Sequence, residues 1–391
     1  MAKKKVMLIY ETAGGGHLAN ARAIQAALAE RHPEIDVFMN HIARESQSQR
    51  VKAMYELYNT MLKSDPRMVR IGFNILNYVN PEVVMVPVLR KGITNFEAVI
   101  RREKPDLIVS VFSVINQTAI KIVKSLGWKG RVPYLIFCTD LSHGFLKNWV
   151  ISDADGMIAM SKEAADQMVV FGYPRPRIKV LQGLPVHPDF MRVAPGREAA
   201  RKALGLLQDR FTVLVTMGGV AGKGALRAAR ELSGSGLPIQ LVVVCGRNRL
   251  LERRIRRLSA RSSVPMRVYG FTDQMPLVME AADVVVTKPG PGTIAEAIMK
   301  LRPLLLDDTR EPMPQEVGNL EYVERHGLGD AYRRGSELTK LVRRYQEDSA
   351  RYEAVVQNMR KVRNPDAVYD LADYIVTQVP EQAHTAPLAL A

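Results

Sequence analysis

The chain has 391 residues, 47% of them apolar and 24% charged, with a net charge of +15. That length supports two domains with their own cores, and that balance excludes a disordered chain. Nowhere do about 18 apolar residues run together, so no membrane-spanning helix is expected. Cys138 and Cys245 each sit inside an apolar run, which argues against a disulfide or a metal cluster. The opening MAKKKVMLIY has an apolar run too short for a secretory leader, so a cytoplasmic protein is expected.

In chain order, the apolar run KVMLIY predicts a strand, TAGGGH a turn, and residues 18–30 a helix with Ala21, Ile24 and Leu28 on one face. Two helical patterns follow between Val51 and Val79, with Lys52, Lys63, Arg67 and Arg70 among them. They read as an inserted pair packed into its own domain, or as a basic amphipathic surface that rests on an anionic bilayer. Strands are then predicted at 106–112, 132–138, 156–160 and 178–181. Continuous apolar strands between helices imply a parallel sheet covered on both faces. The second half repeats the pattern, with strands at 211–217, 238–245, 266–270, 283–287 and 303–308. Two βαβ series predict two doubly wound, Rossmann-like domains, at 1–190 and 197–362. The junction falls between Gly183 and Gly196, where prolines and glycines cluster. A last helix at 365–379 could pack back on the first domain, and 380–391 reads as a flexible tail.

Three glycine-rich turns follow strands. Gly14, Gly15 and Gly16 precede His17 at the start of the first helix, on the strand edge where open α/β sheets bind ligands. His17 there can accept a proton near neutral pH, or serve as a cap or spacer. Gly218 to Gly224 is not a P-loop: that motif needs glycine at Met217 and a hydroxyl residue at Gly224. In Thr287-Lys288-Pro289-Gly290-Pro291-Gly292-Thr293, a turn bares amides at a helix start, where a diphosphate can sit without a metal. Glu296, one turn in, can accept hydroxyl hydrogen bonds from a ribose, or simply stabilise the helix start.

In order, GGGH before a helix, GLPV before the linker, MGG after the second domain's first strand, CGRN and TKPGPGTIAEA resemble one family. It is that of the monogalactosyldiacylglycerol synthases and processive diacylglycerol glucosyltransferases, in glycosyltransferase family 28. The lipid II N-acetylglucosaminyltransferase is a more distant relative. The matches run from Gly14 to about Asn319. The resemblance implies a GT-B fold, with the acceptor on the N-terminal domain and a UDP-sugar in the C-terminal one. It implies His17 as general base, Gly14, Gly15, Gly16, Asp140 and His143 on the acceptor side, and Gly290, Gly292 and Thr293 around the diphosphate. Glu296 would hold the ribose, and Gln315, Glu316 and Asn319 the donor sugar. Gly270 and Phe271 would face the uracil, Arg247 would lie near the nucleotide, and Gly218 and Gly219 would cover the sugar-phosphate. Three departures stand out. GGVAGKG lacks a further glycine or acid near Val220-Ala221, Glu11 replaces an aspartate, and SHGFLKNW follows TDLS in place of a His-Pro-Trp-like element.

The implied reaction is an inverting transfer of galactose or glucose from a UDP-sugar to diacylglycerol, with no cofactor and no metal. The alternatives are an N-acetylglucosamine transfer to a polyprenyl-linked or other lipid, and a UDP-sugar-binding protein without catalysis. The implied setting is the inner face of a membrane, bound peripherally to an anionic surface. The densest basic stretch, Arg247 to Arg261, has seven arginines against Glu252 and reads as a solvated helix face. It lacks aromatic interleaving or a nucleic-acid-binding motif, so nucleic acid is not an expected partner.

Overall fold

The computed structural model describes residues 3–11, 15–41, 93–192, 196–219, 222–309 and 313–381. Gly14, the Val51–Val79 pair with its four basic residues, Val220-Ala221 and residues 382–391 lie outside the described residues. Among the described residues, no helix is long and apolar enough to cross a membrane.

The first sheet contains β1 (Lys4–Tyr10), β2 (Ile35–His41), β3 (Leu107–Ser110), β4 (Tyr134–Cys138), β5 (Gly156–Ala159) and β6 (Ile178–Val180). Their order is β2-β1-β3-β4-β5-β6, and every pairing is parallel. The second contains β7 (Phe211–Thr216), β8 (Ile239–Val244), β9 (Met266–Tyr269), β10 (Val284–Thr287), β11 (Leu304–Asp307) and β12 (Gly329–Tyr332). Its order is β12-β11-β10-β7-β8-β9, again all parallel. Helices on both faces bury the central strands completely, which is why Val6–Ile9 and Val284–Val286 are apolar at every position. These two sheets form a two-domain α/β architecture of the GT-B kind.

Two strands have no counterpart among those expected from sequence, and both are sheet edges. In β2, an edge strand among the described residues, the sequence IDVFMNH mixes polar and apolar residues, and β12 is the short, polar GDAY. Neither forms the apolar run that marks a central strand.

Each chain order reverses at one place, between β1 and β3 in the first sheet and between β7 and β10 in the second. Ligands of open parallel sheets lie outside the carboxyl ends at such reversals. The loops after β1, β7 and β10 carry His17, Gly218-Gly219 and the Gly-Pro-Gly turn.

The helix Ala367–Thr377 lies along the helix Gly16–Arg31 of the first domain. It buries Val368, Leu371, Ala372 and Ile375. Tyr369 donates to Glu30 at 2.7 Å, and His32 meets Asp373 at 2.7 Å.

At the amino end of β10, Asp283 is buried and holds several donors. Its carboxylate takes the Thr212 amide at 2.6 Å and pairs with Arg197 at 2.6 Å and with the buried Arg201. Arg201 also donates to the carbonyls of Ala281 and Gln208. Asp283→Ala leaves a buried guanidinium without its counter-charge, so it is expected to cost about 3–5 kcal/mol in urea unfolding. A loss below about 1 kcal/mol would mean that the two carbonyls suffice for Arg201.

Candidate active site

His17 is the second residue of the helix Gly16–Arg31, whose N-cap is Gly15 at φ 88°. That left-handed conformation favours glycine and turns the chain so that the histidine leaves the strand edge. The ring does not cap its own helix. Its Nδ1 meets Thr139 Oγ1 at 3.2 Å, just beyond β4. Phe112 packs edge-on against it at 5.4 Å between centroids, and Trp149 lies tilted at 6.0 Å. Burial lowers the His17 pKa below the usual imidazole value, opposed by a hydrogen bond to the Val111 carbonyl and by the charge of Glu11. The imidazole is therefore neutral at pH 7. Glu11 is itself buried and accepts from His41 at 2.8 Å, at the end of β2.

Asp140 follows Thr139 and accepts the Trp149 indole N–H at 2.8 Å. Burial pushes its carboxyl up to about 6; the indole bond works against this, and the charge of Glu316 across the cleft adds to it. His143 is turned elsewhere. Its Nε2 lies 3.2 Å from Glu321 of the second domain, so its ring spans the domain contact.

On the opposite wall, the helix Pro291–Met299 starts from Gly290 with no side chain capping it. Proline at its first position has no N–H to satisfy, and the next amides, of Gly292 and Thr293, have no carbonyl within the helix. A Cβ added at Gly292 would meet nothing within 4 Å, so the turn is open on that side. Glu296 stands one turn along, half-buried, and burial alone pushes its carboxyl up to about 8. Behind the turn, Asn319 donates to the Pro289 carbonyl at 2.9 Å. Lys288 meets Glu316 Oε1 at 2.6 Å, and Glu316 Oε2 accepts the Met313 amide at 3.3 Å. Glu316 is thus an anchored carboxylate. Thr287 Oγ1, Gln315 Oε1 and Asn319 Oδ1 are buried without hydrogen-bond partners among the described residues. Such a cluster of unsatisfied polar atoms marks a place for a ligand or water.

The remaining sequence-expected residues line the same opening. Gly218, at φ 78°, and Gly219 follow β7, and the Arg247 amide donates to the Gly219 carbonyl at 3.1 Å. The Arg247 guanidinium stacks over the exposed Phe271 ring at 4.6 Å. Gly270 lies against Glu252, where a Cβ would come within 2.8 Å of the carboxylate. A Cβ at Gly15 would lie 4.0 Å from Gly219 Cα, so the first-domain and second-domain loops face each other. The structure therefore gathers His17, Gly15, Gly16 and Asp140 on one wall and Gly218, Gly219, Gly290, Gly292, Thr293, Glu296, Gln315, Glu316 and Asn319 on the other.

Thr139, Phe112, Trp149 and Lys288 take part as well, although sequence reasoning gave them no role. The strand-end positions of Phe112 and Thr139 were the available signal. Nothing local pointed to Trp149, which the fold brings in from a later loop.

Residues 17–186 match the family model of monogalactosyldiacylglycerol (MGDG) synthase, and residues 212–369 that of the glycosyltransferase family 28 C-terminal domain. A relative from Oryza sativa subsp. japonica, named "Probable monogalactosyldiacylglycerol synthase 3, chloroplastic", is 31% identical over 384 residues, covering 94% of this chain and 73% of the relative. The crystal structure of Acinetobacter baumannii MurG superposes with a TM-score of 0.62 at 15% identity, covering 96% of this chain and 100% of that one. A UDP-N-acetylglucosamine 2-epimerase does so equally well, with a TM-score of 0.62 at 15% identity over 96% of both chains. The fold alone therefore serves more than one chemistry. Joined to the family 28 domain and the facing loops of the cleft, it defines a glycosyltransferase. The chain belongs to the monogalactosyldiacylglycerol synthase family.

Glu296 makes a stability prediction that needs no ligand. Its folded pKa, about 8, is raised above the ordinary 4.5, so the stability it contributes is fully present below pH 4.5 and lost as pH rises to about 8. Glu296→Gln should leave the Tm unchanged near pH 4.5 and raise it above wild type progressively between pH 5 and 8. Parallel Tm curves over that range would mean that the carboxylate is already solvated.

Proposed function

We propose that the enzyme transfers galactose or glucose from a UDP-sugar to diacylglycerol with inversion, forming a β-glycosyl lipid. The observation that carries this reading is the opposition of two groups across the cleft. A neutral, desolvated His17 lies at the start of the helix Gly16–Arg31, which packs against the helix Pro291–Met299 with its bared first amides. The acceptor hydroxyl attacks the anomeric carbon from the side opposite the diphosphate, His17 takes the hydroxyl proton, and the sugar–phosphate bond breaks. The amides of Gly292 and Thr293 and the helix dipole stabilise the charge on the departing UDP, in place of a metal ion. The carboxyl oxygens of Glu296 accept from the ribose hydroxyls. Gln315, Glu316 and Asn319 lie beside the diphosphate turn, where the sugar would sit. Gly270, Phe271 and Arg247 form the rim on which the uracil would rest. The names of the relatives support the lipid acceptor, and the absence of a membrane-spanning helix among the described residues supports a peripheral enzyme.

The test is to incubate the chain with each UDP-sugar and detergent-dispersed diacylglycerol, then identify the product by mass spectrometry and its linkage by NMR. A β-linked glycosyl diacylglycerol is expected, unaffected by EDTA. An α-linked product, or none with any UDP-hexose, would overturn the reading. His17→Ala should lower turnover by roughly two orders of magnitude or more while UDP binding stays nearly unchanged. If UDP binding fell equally, His17 would belong to the donor site.

A further inference from the structure

The second domain carries a cationic face that the chemistry in the cleft does not use. The helix Arg249–Ser259 buries Leu251 and Ile255 and turns its other side outward. At 3.6 residues per turn, Arg249, Arg253, Arg254 and Arg257 share an outward arc of about 140° with Leu250. Arg261 follows just past the helix end. All five arginines are exposed, and none has an ion-pair partner among the described residues. The one acid of the helix, Glu252, is taken by Arg256 at 2.8 Å. Arg249, Arg253 and Arg257 repeat every four residues, a spacing at which like charges destabilise a helix. Leu250 is 59% exposed in the middle of this arc.

The position of the arc matters as much as its charge. The helix begins two residues after Arg247, whose amide is bonded to Gly219, and Gly219 faces Gly15 beside His17. The row therefore starts at the mouth of the cleft and runs outward for about 18 Å.

We propose that this arginine face docks the second domain onto a bilayer carrying anionic phospholipids. The guanidinium row would meet the headgroups, and Leu250 would enter the interface. This rests on the lipid-acceptor reading above, because docking here would hold the cleft mouth at the surface from which such an acceptor comes. Charge complementarity and the single apolar side chain within a straight row of cations suit a flat anionic surface. A groove with aromatic platforms, as single-stranded nucleic acid requires, is not built there.

The experiment uses the full chain and vesicles that contain no diacylglycerol. Sedimentation with phosphatidylcholine vesicles carrying about one-third phosphatidylglycerol is compared for wild type and the variant R249Q/R253Q/R257Q/R261Q. Each arginine near such a surface multiplies partitioning by roughly fivefold, so the variant with four removed should bind roughly 600-fold more weakly. A control that removes equal charge elsewhere, K202Q/K340Q/R343Q/R344Q, should change binding less than threefold. Equal losses in variant and control, or no loss in the variant, would overturn the proposal. So would a wild type that binds duplex DNA more tightly than these vesicles at the same salt. Unchanged Tm and UDP binding in the variant would show that folding is intact, so that lost binding reports the surface. Because this assay contains no acceptor, a failure of diacylglycerol glycosylation would count against the proposed function and not against the docking face.

Discussion

The two domains meet backbone against backbone, and the geometry of the cleft depends on that contact. A Cβ at Gly318 would lie 2.2 Å from the His143 carbonyl oxygen, and one at Gly144 would lie 2.5 Å from that of Pro314. Only glycine on both sides lets the loop after β4 approach the helix Pro314–Arg325 so closely. That approach sets Asp140 close enough to Glu316 for the two carboxylates to feel each other, and His143 close enough to Glu321 to pair. A residue larger than glycine at either position would push the loop after β4 away from the helix Pro314–Arg325 and open the cleft.

Within that frame, the walls hold several groups away from their ordinary state. His17 is kept neutral and Glu296 protonated by loss of water, whereas Lys288 and Glu316 pair with each other at 2.6 Å. Thr287 Oγ1, Gln315 Oε1, Asn319 Oδ1 and the first amides of the helix Pro291–Met299 are left without partners among the described residues. A fold built only for stability would satisfy these groups. They concentrate near the carboxyl end of β10, at the reversal of the second sheet, the kind of place where open parallel sheets take ligands. The Lys288–Glu316 pair also ties the Gly-Pro-Gly turn to the helix Pro314–Arg325, which touches the first domain.

Much of this was legible in the residues. Strands buried on both faces stand out as apolar runs, so β1, β3, β4, β5, β7, β8, β10 and β11 could be read directly. The edge strands β2 and β12 could not, because their sequences IDVFMNH and GDAY mix polar and apolar residues instead of forming an apolar run. The Gly-rich turns and His17 were visible because each follows a strand at a carboxyl end. Motif adjacency says less about which side chains meet, as at His143. It stands three residues after Asp140, yet its ring turns toward Glu321, whereas Trp149, further along the chain, supplies the partner of Asp140.

The sequence by itself determined the domain pattern, the three turns and the family. All of these are set by local periodicity, turn chemistry and residues near one another in the chain. The tertiary structure alone decided which side chains face each other. Thr139 reaches His17, Trp149 reaches Asp140, Glu316 reaches Lys288 and Gly15 faces Gly219 only because two parallel sheets place their carboxyl ends together. The shifts of His17, Asp140 and Glu296 belong to the same category. Desolvation depends on what packs around a group from distant parts of the chain, and that arrangement has no local signature.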